Sequence, residues 1–216
     1  MNNDKLFFQS CLGVVLAGGK SSRMGQDKAQ LQRNQQDMLS YSKSLLTAAG
    51  SSQVVISGDE HGISDIITNI GPLGGIQSIV SQFKPKALLI LPVDLPLMTA
   101  PELARLKQIG ELSQSACFFA DNYLPLYLPV NAFVEQFFQQ PLMTKKLIQP
   151  LSESKNNKSK TNSSRGLSGP SVRSLLNQIP HKVIQAKDNN SLFNTNTPEQ
   201  WQQAQHLLSL QRKTHV

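Results

Sequence analysis

A short apolar run, Val14 to Ala17, breaks on Gly18-Gly19, and three cations follow within nine residues at Lys20, Arg23 and Lys28. An uninterrupted run of β-branched and aliphatic residues bounded by glycines reads as a parallel strand buried on both faces, leading into a loop. Paired glycines let backbone N–H groups approach an anion where a Cβ would stand in the way. Bare amides and cations at the end of a buried strand suit a polyphosphate. Two familiar phosphate loops fail on spacing. A Walker A loop ending in Gly19-Lys20-Ser21 needs glycine at position 14, which is Val14, and no register of Gly18, Gly19 and Gly25 gives Gly-x-Gly-x-x-Gly.

The longer string, Leu16-Ala17-Gly18-Gly19-x-x-x-Arg23-Met24-Gly25-x-Asp27-Lys28, resembles the signature of nucleotidyltransferases. Its Ala-Gly-Gly and Asp-Lys spellings look most like the molybdenum cofactor guanylyltransferases, the MobA-like family. The resemblance implies nucleotide contacts from Leu16, Ala17, Gly18, Gly19 and Lys28, with Lys28 and Arg23 catalytic through charge developing on the phosphates.

The 216 residues are enough for one substantial α/β core. No apolar run approaches the length of a membrane span, and the N-terminus lacks a signal-peptide pattern, so a cytoplasmic protein without membrane contact is expected. Cys11 and Cys117 each lie in an apolar run and read as buried free thiols. The net charge of +7 raises the question of nucleic acid. Its distribution answers it. Seven cations (Lys145, Lys146, Lys155, Lys158, Lys160, Arg165 and Arg173) fall between 145 and 173 against Glu153 alone, without interleaved aromatics to stack on bases. Residues 152–168, rich in Ser, Asn and Lys, cannot bury enough apolar surface to order themselves and are expected to form a flexible basic loop.

In chain order, the spacing predicts a helix over 38–49 closed by Gly50, a strand over 53–57, and an amphipathic helix reaching Phe83. Strand, helix and strand in that order predict right-handed βαβ units and a mostly parallel sheet. The turn Gly71-Pro-Leu-Gly74-Gly-Ile, with Asp65 upstream, is similar to the family's second motif, which implies that Asp65, Gly71 and Gly74 face the base and ribose. Ala87 to Leu91 form the strongest strand, and Asp94 lies just beyond it, at the carboxyl edge where doubly wound sheets bind ligands. Thr99 and Glu102 have the spacing of a capping box for the next helix, which leaves Asp94 free to hold Mg²⁺. The resemblance implies the same role, through a matching Pro-x-Asp-x-Pro.

Two further strands are expected over 114–120 and 122–130. Pro125 and Pro129 point to a sheet edge or a bulge. Tyr123-Leu-Pro-Leu126 matches only in part a family motif for the second substrate. Helices are expected over 131–139 and 171–179, and a last strand over 182–186. Thr197, Pro198 and Gln200 then form a capping signal for the final helix. The resemblance adds Asn194 and Asn196 as secondary site candidates, from a similar Asn-x-Asn-Thr-Pro.

The expected fold is therefore a three-layer α/β sandwich with a mostly parallel, Rossmann-like sheet, one nucleotidyltransferase domain over residues 11–211. The resemblance implies transfer of GMP from GTP to molybdopterin cofactor with Mg²⁺, releasing pyrophosphate; a monomer making transient contacts with cofactor-delivering or accepting proteins is expected. Rival readings are a sibling using CTP or a sugar phosphate, and a non-catalytic nucleotide-binding regulator.

Overall fold

A computed structural model of the protein describes residues 11–18, 27–58, 62–64, 71–140 and 170–213. The basic stretch 152–168 lies outside them. The apolar runs become the interior of a six-stranded sheet. β1 (Leu12–Leu16) pairs in parallel with β4 (Gln53–Ser57) on one side and β5 (Ala87–Pro92) on the other. Beyond β5 come β7 (Asn122–Pro129), then β6 (Ala116–Phe119), then β8 (His181–Ile184). Only β7 runs against the rest, so five strands share one direction. β2 (Gln32–Arg33) and β3 (Gln36–Asp37) form a separate small hairpin.

Helices cover both faces, which is why the central strands are apolar at every position rather than at every second one. On one face α1 (Met38–Ala48), α3 (Ala100–Ser113) and α6 (Pro198–Lys213) enclose Val15, Leu89, Leu91 and Phe119 with Leu46, Leu106 and Trp201. On the other, α2 (Pro72–Phe83), α4 (Ala132–Phe138) and α5 (Val172–Leu176) enclose Leu12, Val14, Leu88 and Ile90 with Ile76, Phe137 and Leu175. The three-layer sandwich and mostly parallel sheet are as the sequence led one to expect. Gly50 takes φ +85° just after α1, the left-handed turn that a closing glycine supplies.

Of the edge or bulge that Pro125 and Pro129 pointed to, the structure shows the irregularity and not the edge, because β7 lies between β5 and β6. Phe118 faces Leu126 but Phe119 faces Asn122, so Tyr123 to Pro125 drop out of the ladder and Pro125 needs no ladder partner. Pro129 sits at the strand end opposite Ala87. Nor do Thr99 and Glu102 form a capping box. Thr99 is the N-cap of α3 by position, yet its side chain makes no capping hydrogen bond. Glu102 turns inward, 5% exposed, and accepts from the Lys187 N–H at 2.7 Å and from Arg105 at 3.0 Å. A tertiary partner for the carboxylate outcompetes the local one.

Candidate active site

The carboxyl ends of β1, β4 and β5 meet at one edge of the sheet. Beyond β1 the chain turns through Ala17 and Gly18, and the Ala17 N–H donates to the Ser57 carbonyl at 2.9 Å. Gly58, at φ +145°, lets β4 pass under this turn. A Cβ on Gly58 would lie 2.8 Å from the Gly18 nitrogen. Sequence reading did not single out Gly58, because the contact that demands it comes from a strand forty residues earlier.

Beyond β5 the Val93 N–H donates to the Leu16 carbonyl at 3.1 Å, tying the two strand ends together and setting Asp94 beside the β1 turn. The far side of Asp94 is held by Thr195, which is 1% exposed. Its N–H and its hydroxyl both donate to the Asp94 carbonyl, at 3.0 and 3.1 Å. Thr195 too escaped sequence reading, although the asparagines on either side of it did not. The turn after Asp94 is braced from below: Arg33 Nε donates to the Pro96 carbonyl at 2.6 Å and Tyr41 donates to the Met98 carbonyl at 2.6 Å. The Arg33 guanidinium also lies 3.7 Å above the Tyr41 ring.

Lys28 opens a 3-10 turn, Lys28–Gln30, whose first turn is capped by Asp27 accepting from the Ala29 N–H at 3.0 Å. This aims the Lys28 ammonium at the sheet edge, where Nζ donates to Asp94 Oδ2 at 3.0 Å and to Asn196 Oδ1 at 2.6 Å. The three residues are separated by 66 and 168 positions in sequence and meet at one ammonium. Both charged side chains are about one-sixth exposed, so the pair is screened less than a surface pair but remains reachable from solvent. Asp94 Oδ1 is buried and has no hydrogen-bond partner among the described residues. A buried carboxylate oxygen left unmatched is costly unless something else takes it up.

Of the other residues singled out in the sequence, Leu16, Ala17 and Gly18 line the start of the loop, while Gly19, Arg23 and Asp65 lie outside the described residues. Gly71 is the N-cap of α2 at φ +69° with open space where a Cβ would project, and Gly74 is buried within the helix's first turn. The Lys28 ammonium donates to Asp94 and Asn196, not to Asn194. Asn194 lines a neighbouring open cleft of about 450 Å³, with Asp121, Asn122, Gln185 and Asn189. Among the described residues no three His, Cys, Asp or Glu side chains cluster as a metal-binding group, and no helix is long and apolar enough to cross a membrane.

A mostly parallel sheet with a glycine turn after its first strand and a lysine–carboxylate pair at its carboxyl edge is an α/β frame with its ligand edge at the strand carboxyl ends. The MobA-like NTP transferase domain matches residues 13–153, and this chain belongs to that family. It is 34% identical over 201 residues to a molybdenum cofactor guanylyltransferase of Xanthomonas euvesicatoria, covering 90% of this chain and 94% of that one. In fold it is similar to the molybdopterin-guanine dinucleotide biosynthesis protein A of Archaeoglobus fulgidus, with a TM-score of 0.63 at 18% identity, covering 92% of this chain and 98% of that one. A Mycobacterium tuberculosis H37Rv protein solved in complex with manganese shares the fold at a TM-score of 0.53 and 14% identity, covering 91% and 98% of the two chains.

Proposed function

We propose that this chain transfers GMP from GTP to molybdopterin cofactor, with release of pyrophosphate. The observation that carries the reading is the convergence of Lys28, Asp94 and Asn196 at the sheet edge beside the Gly18 turn. The identity to a guanylyltransferase along nearly the whole chain supports the choice of substrates.

The chemistry is an in-line displacement at the α-phosphorus of GTP. A terminal phosphate oxygen of the acceptor forms the new P–O bond, and the bond to the β-phosphate bridging oxygen breaks with its electron pair leaving on pyrophosphate. No covalent enzyme intermediate is needed, so the protein contributes position and charge. An ammonium has three donors. Asp94 and Asn196 engage two of those on Lys28, which leaves the third for a phosphate in the proposed role. In this role the Lys28 charge offsets the negative charge that builds on the α-phosphoryl group and the leaving pyrophosphate, joined by Arg23. Leu16 to Gly19 bring backbone groups to the nucleotide, and Gly71 at the α2 start, with Asp65, serves the base and ribose.

Asp94 is the residue that would hold a Mg²⁺ ion. The fit rests on its unmatched buried Oδ1, a hard oxygen donor, since Mg²⁺ takes one or two carboxylates and completes its shell with phosphate and water. Bound there, Mg²⁺ would neutralise triphosphate charge. The proposed setting is a cytoplasmic one, in keeping with two free, buried cysteines.

Asp94→Asn preserves size while removing charge. Turnover, measured as pyrophosphate release at saturating GTP and cofactor, should fall on the order of a hundredfold or more, with the melting temperature nearly unchanged. Normal turnover by Asp94→Asn would remove Asp94 from the mechanism.

A further inference from the structure

The cap of α6 does more than begin a helix. In an ordinary capping box the side chain at the third helical position accepts from the N–H of the N-cap residue. Gln200 does this with Thr197 at 3.1 Å, and Thr197 Oγ1 accepts in return from the Gln200 N–H at 3.3 Å. The same Gln200 Oε1 also accepts from the residue before the cap, Asn196, and at the shorter distance of 2.7 Å. Asn196 is the residue whose side-chain oxygen holds the Lys28 ammonium.

We infer that Gln200 is a positioning residue for the transfer reaction, fixing the Asn196 backbone so that Asn196 Oδ1 aims Lys28 between Asp94 and the nucleotide. The inference rests on the reading of Lys28 and Asp94 given above. The segment from Thr195 to Thr197 is clamped at both ends. Thr195 is tied to the Asp94 carbonyl and Thr197 to the helix, which leaves Asn196 between them with one backbone donor, and Gln200 takes it. Without that acceptor the part-buried Asn196 N–H must turn toward water to find a partner. Its side chain turns with it, and Lys28 loses one of its two anchors. A displacement of this order, some distance from the reacting atoms, lowers the rate through misalignment without removing any group that touches substrate.

The test separates this from simple helix capping by comparing the two halves of the same cap. Gln200→Met keeps length and apolar packing but removes the oxygen. Thr197→Ala removes the other half of the cap and leaves the Gln200–Asn196 bond in place. Both should lower the melting temperature by similar amounts. Only Gln200→Met should lower kcat, by roughly tenfold. Gln200→Glu, which offers the same acceptor, should restore kcat. Asn196→Ala combined with Gln200→Met should be no slower than Asn196→Ala alone, since Gln200 acts through Asn196. If Gln200→Met proves too unstable to assay, Gln200→Ser takes its place in the same comparison. Equal losses of kcat in Thr197→Ala and Gln200→Met, or additive losses with Asn196→Ala, overturn the inference and leave Gln200 a helix cap. Asp94→Asn assayed beside them keeps the two readings apart: if it turns over normally the site assignment fails, whereas its inactivity with unequal caps supports both.

Discussion

At the scale of the residue, the site depends on a few groups whose neighbours leave them little freedom. Lys28→Ala removes the ammonium that donates to Asp94 and Asn196, and should lower turnover by tenfold or more while changing stability by about 1 kcal/mol or less, since the pair remains partly solvated. Gly58→Ala should act in the opposite sense. The new Cβ meets the Gly18 backbone and must also adopt φ +145°, so stability should fall by on the order of 2 kcal/mol and the KM for GTP should rise as the β1 turn is pushed aside. Urea titration and steady-state kinetics read the two effects separately. Cys11 gives a different kind of test. Burial raises its thiol pKa to about 12 from an ordinary value of 9.0, despite the opposing charge of Lys107. The folded state therefore keeps a proton that the unfolded chain releases above pH 9. The contribution is fully present below that pH and is lost as pH climbs toward 12. Burial shifts Cys117 and Tyr127 upward too, so all three act in the same direction. The melting temperature should drop steeply over this interval, and less steeply in Cys11→Ala. A flat profile would mean that the thiol is not shielded.

At the scale of the element, α3 shows how a local signal can be outvoted. Thr99 and Glu102 have the spacing of a capping box, yet the carboxylate is used to join α3 to the segment after β8. Glu102 accepts from Lys187, and Arg105 donates both to Glu102 and to the Gln185 carbonyl. Glu102→Ala leaves the Lys187 N–H without its acceptor and Arg105 with the Gln185 carbonyl alone, and should cost about 1–3 kcal/mol. Thr99→Ala should cost a few tenths of a kcal/mol at most, because no hydrogen bond is lost. Were the capping box real, the Thr99 variant would lose about 1 kcal/mol instead. The start of α6 behaves oppositely: the spacing of Thr197 and Gln200 is realised, and there the acceptor reaches one residue further into the site.

At the scale of the whole molecule, ligand binding should read directly into stability. Under the proposed function GTP with Mg²⁺ binds the native state only, so saturation at a hundred times Kd should add about 2.7 kcal/mol and raise the melting temperature more than CTP, ATP or UTP does. An equal shift with CTP would move the assignment to a cytidylyl-transferring sibling. Residues 152–168 supply a second whole-chain test. We propose that they lie outside the core, and their deletion should leave the melting temperature within a few degrees. Collapse on deletion would put them in it.

The periodicities of single segments were enough for the layers. Uniformly apolar β1 and β5 require cover on both faces, and the helices between parallel strands provide it. Glycines and cations after β1, and a carboxylate after β5, were readable as candidates because each sits within a few residues of a strand end. What the chain order could not supply was the pairing of β7 between β5 and β6, the inward turn of Glu102, the need for Gly58, or the two hydrogen bonds from Thr195 to Asp94. These depend on which groups come within about 3 Å after folding. Local spacing fixes which side of a strand or helix a residue occupies. Which distant donor reaches a buried acceptor first is decided only when the sheet order brings segments a hundred residues apart to the same edge.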